Sequence, residues 1–454
     1  MAGTFMRNRL GAVSRYSKED NEPYEGPNEG ELIALQSQEA IEEVMAVDGD
    51  VTALQADGEE LATVYGEVLP EVHEVLADAQ EAGGITVEAV SLLAIIGNLT
   101  GTDLSTQVAT ESFNGQGRSQ QATRVAMEAV TDRLGNWWQA LKRWLKKMWK
   151  KVKDWWNKTF SGAASLKASA EAMKKRAQGS TSKVIKNENV SFSGANLVMN
   201  KDGKVVAADV KAGFKLFADK MDAITLKYPK DVADAGKKFV DKVADIDFAK
   251  GKDAGATRKE VYGAIGEFDQ VVESLMMAMG VEQGVPNGTL GANAMFDRNV
   301  GTGETVKVSP PFPGNKVLYK ITEAEGGFRV GFAAGGKKEP EGDIEGKALG
   351  ISDITGICES IINGCDSIIR SNSSINSTSK VEDDLEKCGD RIERVLAQED
   401  NATDEAHKKQ STFTRAAKTI SEALVEPHRT FASHFMASSS AALRYAAASL
   451  QTAN

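Results

Sequence analysis

One segment of the sequence, residues 137–158, restricts the possible folds more than any other. All 6 tryptophans of the chain lie in it. At about 100° per residue, these tryptophans and the large apolar residues between them fall within an arc of roughly 140° on a helix. The apolar face consists of Trp137, Trp138, Leu141, Trp144, Leu145, Met148, Trp149, Val152, Trp155 and Trp156. The pattern predicts an amphipathic helix whose tryptophan side requires a partner.

The other side of this helix is cationic. Its basic residues are Lys142, Arg143, Lys146, Lys147, Lys150, Lys151, Lys153 and Lys158. In the simplest interpretation, the tryptophans pack on other helices and the lysines face water. In a second, the lysines of the packed helix also contact phosphates and give salt-sensitive, sequence-independent binding of nucleic acid. In a third, the helix lies on an anionic membrane with its indoles among the headgroups.

Charge is distributed unevenly along the chain. Residues 1–111 contain 4 Lys/Arg and 22 Asp/Glu, a net charge of −18, whereas residues 112–454 contain 50 and 43, a net charge of +7. Within the second part, residues 112–176 carry 15 basic and 4 acidic residues. Such asymmetry is typical of a chain whose acidic part covers its basic part, or whose parts bind different partners. The alternative is an acidic helical region that only keeps the chain in solution.

Apolar periodicity along the rest of the chain predicts a mainly α protein. Only 10 of the 454 residues are proline, which favours long helices. Helical spacing of apolar residues covers 29–46, 57–82, 87–99, 210–224, 232–246, 261–279, 351–368, 381–398 and 411–425. Small β-hairpins are predicted within 189–206 and 317–332, and a polar turn at 371–379. The expected architecture is a multi-helix, bundle-like body with a long amphipathic Trp/Lys helix and minor β-hairpin elements.

These features divide the chain into five parts. They are an acidic helical region at 1–111, the basic Trp-rich helix at 112–182, a hairpin with helices at 183–283, a Gly/Pro-rich segment with a small hairpin at 284–350, and a C-terminal helical region at 351–454.

The sequence contains no pattern that points to catalysis, a metal or a cofactor. Its 4 histidines, at 73, 407, 428 and 434, lack the four-residue spacing of a metalloprotease site. The fragment Gly301-Thr302-Gly303 lacks the strand and helix that flank a phosphate-binding loop. The 3 cysteines lack zinc-site spacing, and we expect them to be buried thiols. An enzyme hidden in residues 184–454 remains an alternative, although no constellation centred on histidine or cysteine supports it.

The chain also shows no signal for export or membrane insertion. No run of about eighteen uncharged apolar residues is present, so a membrane-spanning helix is not predicted. The first residues, 1–18, contain arginines but no apolar core of the length that a signal peptide needs. We therefore expect synthesis in a cytoplasm.

Two stretches carry a resemblance to a known family. The run Ala109-Thr110-Glu111-Ser112-Phe113, followed by Gly117 to Arg124, resembles the mature start of internal head proteins of giant tailed phages of the phiKZ type. The helix with Trp137-Trp138, Lys146-Lys147-Met148-Trp149 and Val152-Lys153-Asp154-Trp155-Trp156 is similar to the Trp/Lys-rich stretch that follows in that family. The resemblance covers about residues 100–176.

The resemblance implies that residues 1–111 are a propeptide, removed on maturation by a prohead protease that cuts after a small residue, any residue and glutamate. Ala109-Thr110-Glu111 fits this rule, with Ser112 as the new first residue. Glu39, Glu81, Glu128 and Glu171 complete the same short motif, so the motif alone does not select one bond. Position favours Glu111, because it lies in a Gly/Thr/Ser-rich connector where an extended chain can enter a protease cleft.

The resemblance further implies partners and a location. The expected partners are the prohead protease, capsid shell or scaffold proteins, and packaged DNA bound without sequence preference. The expected location is the host cytoplasm during assembly and then the interior of the virion head. Loss of the acidic part is expected to uncover the basic helix for DNA. The competing hypothesis is a membrane-active protein, ejected with the genome, that acts through the Trp/Lys helix.

Overall fold

The computed structural model describes residues 29–81, 123–124, 126–128, 130–131, 136–180, 189–197, 205–248, 253–281, 305–322, 327–334, 343–397 and 404–451. Its helices are α1 Glu29–Gln36, α2 Gln38–Thr63, α3 Leu69–Glu81, α4 Trp137–Gly179, α5 Ala207–Asp222, α6 Tyr228–Ala244, α7 Ala254–Ala278, α8 Ile351–Arg370, α9 Asn372–Ala397, α10 Asp404–Val425 and α11 His428–Gln451. Its strands are β1 Asn189–Ser193, β2 Thr305–Val308, β3 Lys316–Thr322, β4 Phe328–Ala334 and β5 Asp343–Lys347. The predicted mainly α class with minor β structure is confirmed.

Helix α4 is the central element of the structure. It packs most extensively against α8 and α2, and it also contacts α1, α9, α10 and α11. The main hydrophobic core extends from Ile33 in α1 to Leu450 in α11 and includes residues of all five parts of the sequence. Nine of the ten predicted apolar-face residues of α4 belong to this core, and the tenth, Trp137, stacks on Tyr65 instead. The other helices are therefore arranged around the tryptophan side of α4.

The helices predicted from periodicity after residue 206 are confirmed, although α7, α9 and α10 begin seven to nine residues earlier than predicted. The front of the chain is more continuous than predicted. Helix α2 passes through a π-helical turn at Val64–Val68 directly into α3, so that residues 38–81 form one rod. The predicted helix at 87–99 and the connector that follows it lie outside the described residues.

The predicted hairpin at 189–206 is wrong. Strand β1 pairs antiparallel with the distant β5, with Asn189 opposite Lys347 and Ser193 opposite Asp343. Val205 forms an isolated parallel bridge with Gly346 and does not extend a hairpin with β1 among the described residues. The period-two pattern identified a strand correctly, but pairing was decided by packing, since Phe192 of β1 stacks on Tyr445 of α11 at 4.2 Å between ring centroids.

The predicted hairpin at 317–332 is confirmed and extended. Strands β3 and β4 pair antiparallel, and β2 adds to the outer edge of β3. The predicted polar turn at 371–379 is wrong, because only Ser371 interrupts the helices and α9 begins at Asn372. Polar composition there marks the start of a helix and not a loop.

The cysteines are buried free thiols, as predicted. Burial raises the pKa of Cys358 to about 12. Among the helices that the structure describes, none combines the length and apolarity required to cross a bilayer.

Candidate interaction surface on the tryptophan-lysine helix

Helix α4 extends over 43 residues without interruption. No proline occurs between its ends, and Gly162 is the only glycine before the last residue. A Cβ atom at Gly162 would lie 2.6 Å from Met436 and 3.2 Å from Val44, so this glycine permits α2 and α11 to approach closely. The helix ends at Gly179, after which Ser180 adopts an extended conformation.

The apolar face of α4 is buried over its full length. All ten residues predicted for this face are buried, and no tryptophan is more than 5% exposed. Three indoles donate hydrogen bonds across helix interfaces: Trp138 to Asp390 (2.9 Å), Trp144 to the Leu54 carbonyl (2.5 Å) and Trp155 to Ser433 (3.0 Å). In the folded chain this face is therefore occupied by protein, and contact with a membrane would require α4 to leave the core.

One edge of the cationic face is paired with α9. The Lys142 ammonium lies 2.7 Å from Asp390 and 3.0 Å from Glu386, and Lys146 lies 2.9 Å from Glu386. Burial of Asp390 favours its neutral form, but hydrogen bonds from Lys142 and Trp138 outweigh this effect and lower its pKa. The hydrogen bond from Lys142 to Asp390 in turn raises the pKa of Lys142.

Lys153 is exposed and lies near the carboxyl group of Glu382, which has an unusually high pKa. Burial raises the pKa of Glu382 to about 8, and the nearby Lys153 charge only partly opposes this rise. Lys153 thus interacts electrostatically with α9 and does not face solvent alone.

The opposite edge is paired with the acidic front of the chain. Lys151 lies 2.7 Å from Asp50, and Lys158 lies 2.6 Å from Glu43. Farther along α4, Arg176 lies 3.1 Å from Glu29. These solvent-accessible pairs each contribute little to stability, but their charges are neutralised locally.

Between the two paired edges lies a stripe of cations, Arg143, Lys147 and Lys150, here called the cationic stripe. All three side chains are exposed. Within the part of the chain that the structure describes, none of them has a carboxylate at ion-pair distance. Their spacing of four and three residues places them on one line along the helix. The cationic face predicted from sequence is therefore divided into two paired edges and a centre without a carboxylate partner among the described residues.

A buried ionic cluster, which the sequence did not reveal, joins the front of the chain to its end. Arg429 of α11 is 1% exposed and forms ion pairs with Asp48 of α2 and with Glu426. Its guanidinium also donates to Gln55 at 2.8 Å, and Ser433 donates to Asp48 at 2.9 Å. No spacing rule connects residues 48 and 429, so only the fold brings these groups together.

The remaining candidates are assigned as follows. His428 and His434 lie in the core, where burial lowers the pKa of each to about 3. Among the described side chains, no three of His, Cys, Asp or Glu gather as metal ligands. Residues 109–112, the expected cleavage site, lie outside the described residues.

The fold defines a mainly α protein, organised around a buried tryptophan helix with a cationic stripe on its surface. The comparison of sequences makes the family specific: the family profile of phiKZ-like phage internal head proteins matches residues 39–448. The chain belongs to that family. No curated protein and no solved structure matches it. The protein is thus a virion structural protein of the phage head interior, as the resemblance predicted.

Proposed function

We propose that this internal head protein contacts packaged DNA through the cationic stripe. The observation that carries the proposal is the exposure of Arg143, Lys147 and Lys150 without carboxylate partners among the described residues. They span about 10 Å along the helix axis. Because B-DNA presents one negative charge per about 1.7 Å of its axis, three such cations can meet phosphates at the same time. The buried tryptophans hold the stripe on a rigid support.

We expect the triple substitution Arg143→Gln, Lys147→Gln and Lys150→Gln to weaken binding of duplex DNA equally for all sequences. Loss of three phosphate contacts should reduce the magnitude of the slope of log K against log salt by about 2–3. Fluorescence anisotropy with two unrelated duplexes between low and moderate salt measures this slope.

The matched control removes the same charge elsewhere. Lys238 and Lys242 of α6 are exposed and pair with Glu267, and the half-buried Lys237 pairs with Asp234. Their replacement by glutamine should leave the slope nearly unchanged. An equal loss of slope in both triple variants would show that total charge, and not the stripe, governs binding.

We also propose that the chain is a precursor cut by the prohead protease after Glu111. The step in charge at this position, from −18 before it to +7 after it, supports the proposal. So does the motif Ala109-Thr110-Glu111 in a polar connector. The family profile begins at residue 39, so residues on both sides of the proposed bond are family features.

Mass spectrometry of mature particles tests the cut. Residues 19–117 contain no lysine or arginine, so trypsin leaves the uncut chain as one peptide that ends at Arg118. Cleavage after Glu111 instead yields the short peptide Ser112–Arg118, SFNGQGR. We expect this peptide in particles and not in the purified precursor. Its absence from both samples, with an intact bond at 111–112, would refute the assignment.

A further inference from the structure

The acidic front of the chain is part of the folded core and not a layer on its surface. Ile33, Ile41, Val44 and Val51 of α1 and α2 are buried in the main core together with five of the six tryptophans of α4. Removal of these helices would expose Trp144 and neighbouring apolar residues of α4 to water. Exposure of a contiguous apolar surface is unfavourable and promotes aggregation.

The close fit between α2 and α4 depends on a glycine. A Cβ atom at Gly58 would lie 2.4 Å from the Trp144 ring, so that the indole lies directly on the backbone of α2. The same indole donates its hydrogen bond to the Leu54 carbonyl. Trp144 therefore uses α2 both as an apolar partner and as its hydrogen-bond acceptor.

The buried ionic cluster also depends on α2, which supplies most of the hydrogen-bond partners of Arg429. Arg429 is held by Asp48, by the Asp48 carbonyl at 3.1 Å, by Thr52 at 3.2 Å and by Gln55, which all belong to α2. Without α2, Glu426 is the only partner that the described structure leaves to this guanidinium. A buried charge that loses its partners is strongly unfavourable.

The π-helical turn and α3, which follow α2, contact residues that lie after the proposed cut. Val64, Leu69, Val72 and Leu76 form a second apolar cluster with Ala126 and Val130. Arg415 of α10 donates to the Gly66 carbonyl. Contacts across residue 111 thus extend from α1 to α3.

From these contacts we infer that cleavage at residue 111 nicks the protein without releasing its front, and that the groove formed by α4 and α11 is the binding surface for the chain's own N-terminal fragment. The inference rests on the proposed cleavage, because it concerns the cut chain. The contacts between the front and the body are seen in the uncut chain and do not depend on the cleavage. Since Lys151 and Lys158 stay paired with Asp50 and Glu43, the cut leaves the cationic face as it was. The cationic stripe is then exposed both in the uncut chain and in the cut chain.

Size-exclusion chromatography after cleavage tests this inference. The full chain is cut either by the prohead protease or, with residues 109–112 replaced by the site of a sequence-specific protease, by that enzyme. We expect two bands on a denaturing gel from one native peak, and two separate peaks in strong urea. Elution of the front fragment apart from the body in native buffer would overturn the inference.

A pair of substitutions on one helix sharpens the test. Gly58→Leu places a side chain against Trp144, and Gly49→Leu makes the same change where no atom lies within 4 Å of the new Cβ. After the cut, we expect Gly58→Leu to raise the dissociation constant of the fragment at least tenfold and Gly49→Leu to leave it unchanged. Equal release from both variants and the parent would count against the groove.

The two routes of cleavage separate the two proposals. If the prohead protease leaves the bond after Glu111 intact while the engineered cut gives a retained fragment, the proposed maturation fails and the inference stands. If the natural cut occurs and the fragment leaves, the inference fails and the maturation stands.

Discussion

Replacement of Arg429 by methionine is expected to destabilise the protein by about 3–5 kcal/mol, since the change leaves the buried carboxylates of Asp48 and Glu426 without their cation. Asp48 already has a raised pKa, because its burial outweighs the lowering effect of Arg429. Loss of Arg429 removes that opposing charge and favours uptake of a proton. Urea denaturation followed by circular dichroism measures the free energy of unfolding.

Two variants serve as controls for Arg429→Met. Arg391→Met removes an arginine from the exposed face of α9 and should change stability by less than about 0.5 kcal/mol. The combination of Arg429→Met with Asp48→Asn and Glu426→Gln removes the buried charges together and should recover much of the loss. If the single and combined variants were equally unstable, the destabilisation would come from packing and not from unpaired charge.

Replacement of Trp138 by alanine is the second large effect, with an expected loss of about 3–5 kcal/mol. The indole is 1% exposed and lies between α9 and α10, where its centroid is 5.4 Å from that of Phe413. Its ring covers Gly389, at which a Cβ atom would lie 2.0 Å away. Neighbours this closely fitted cannot collapse fully into the space left by the ring. The free energy of unfolding in urea measures the loss.

The conservative variant Trp138→Phe separates the two contributions of the indole. Phenylalanine retains most of the apolar contact but loses the hydrogen bond to Asp390, so we expect a loss of about 1–2 kcal/mol. Asp390 keeps its ion pair with Lys142 in this variant. A loss from Trp138→Phe as large as that from Trp138→Ala would indicate that the hydrogen bond, and not ring packing, dominates at this position.

The structure changes the meaning of the charge asymmetry. The acidic front neutralises one edge of α4 through Lys151 and Lys158, while Glu386 and Asp390 of the body neutralise the other edge. Only part of the screening of the basic helix therefore comes from residues before 111. The proposed DNA contact uses the centre of the face, where the described residues place no carboxylate beside Arg143, Lys147 and Lys150.

Local pattern was sufficient for the long helix and its faces. The positions of the six tryptophans define one side of a rod at any helical geometry near 100° per residue, so burial of that side followed from spacing alone. The family resemblance carried by residues 100–176 was likewise readable from short motifs. The helices at 207–278 and 351–370 followed from the same periodicity, since an amphipathic repeat expresses a local property of the chain.

The contacts between residues that are distant in sequence could not be predicted from local spacing. Three contacts join residues separated by 86 to 381 positions in the sequence. They are the pairing of β1 with β5, the ion pair of Asp48 with Arg429 and the contact of Gly58 with Trp144. Such contacts depend on how helices of similar amphipathic character pack, and many packings satisfy the same local pattern. Local spacing therefore determined which face of each helix is buried. Only the tertiary arrangement decided which cations of α4 lack a carboxylate partner among the described residues, and that the acidic front belongs to the core. Both depend on which carboxylates and which apolar faces are brought against α4.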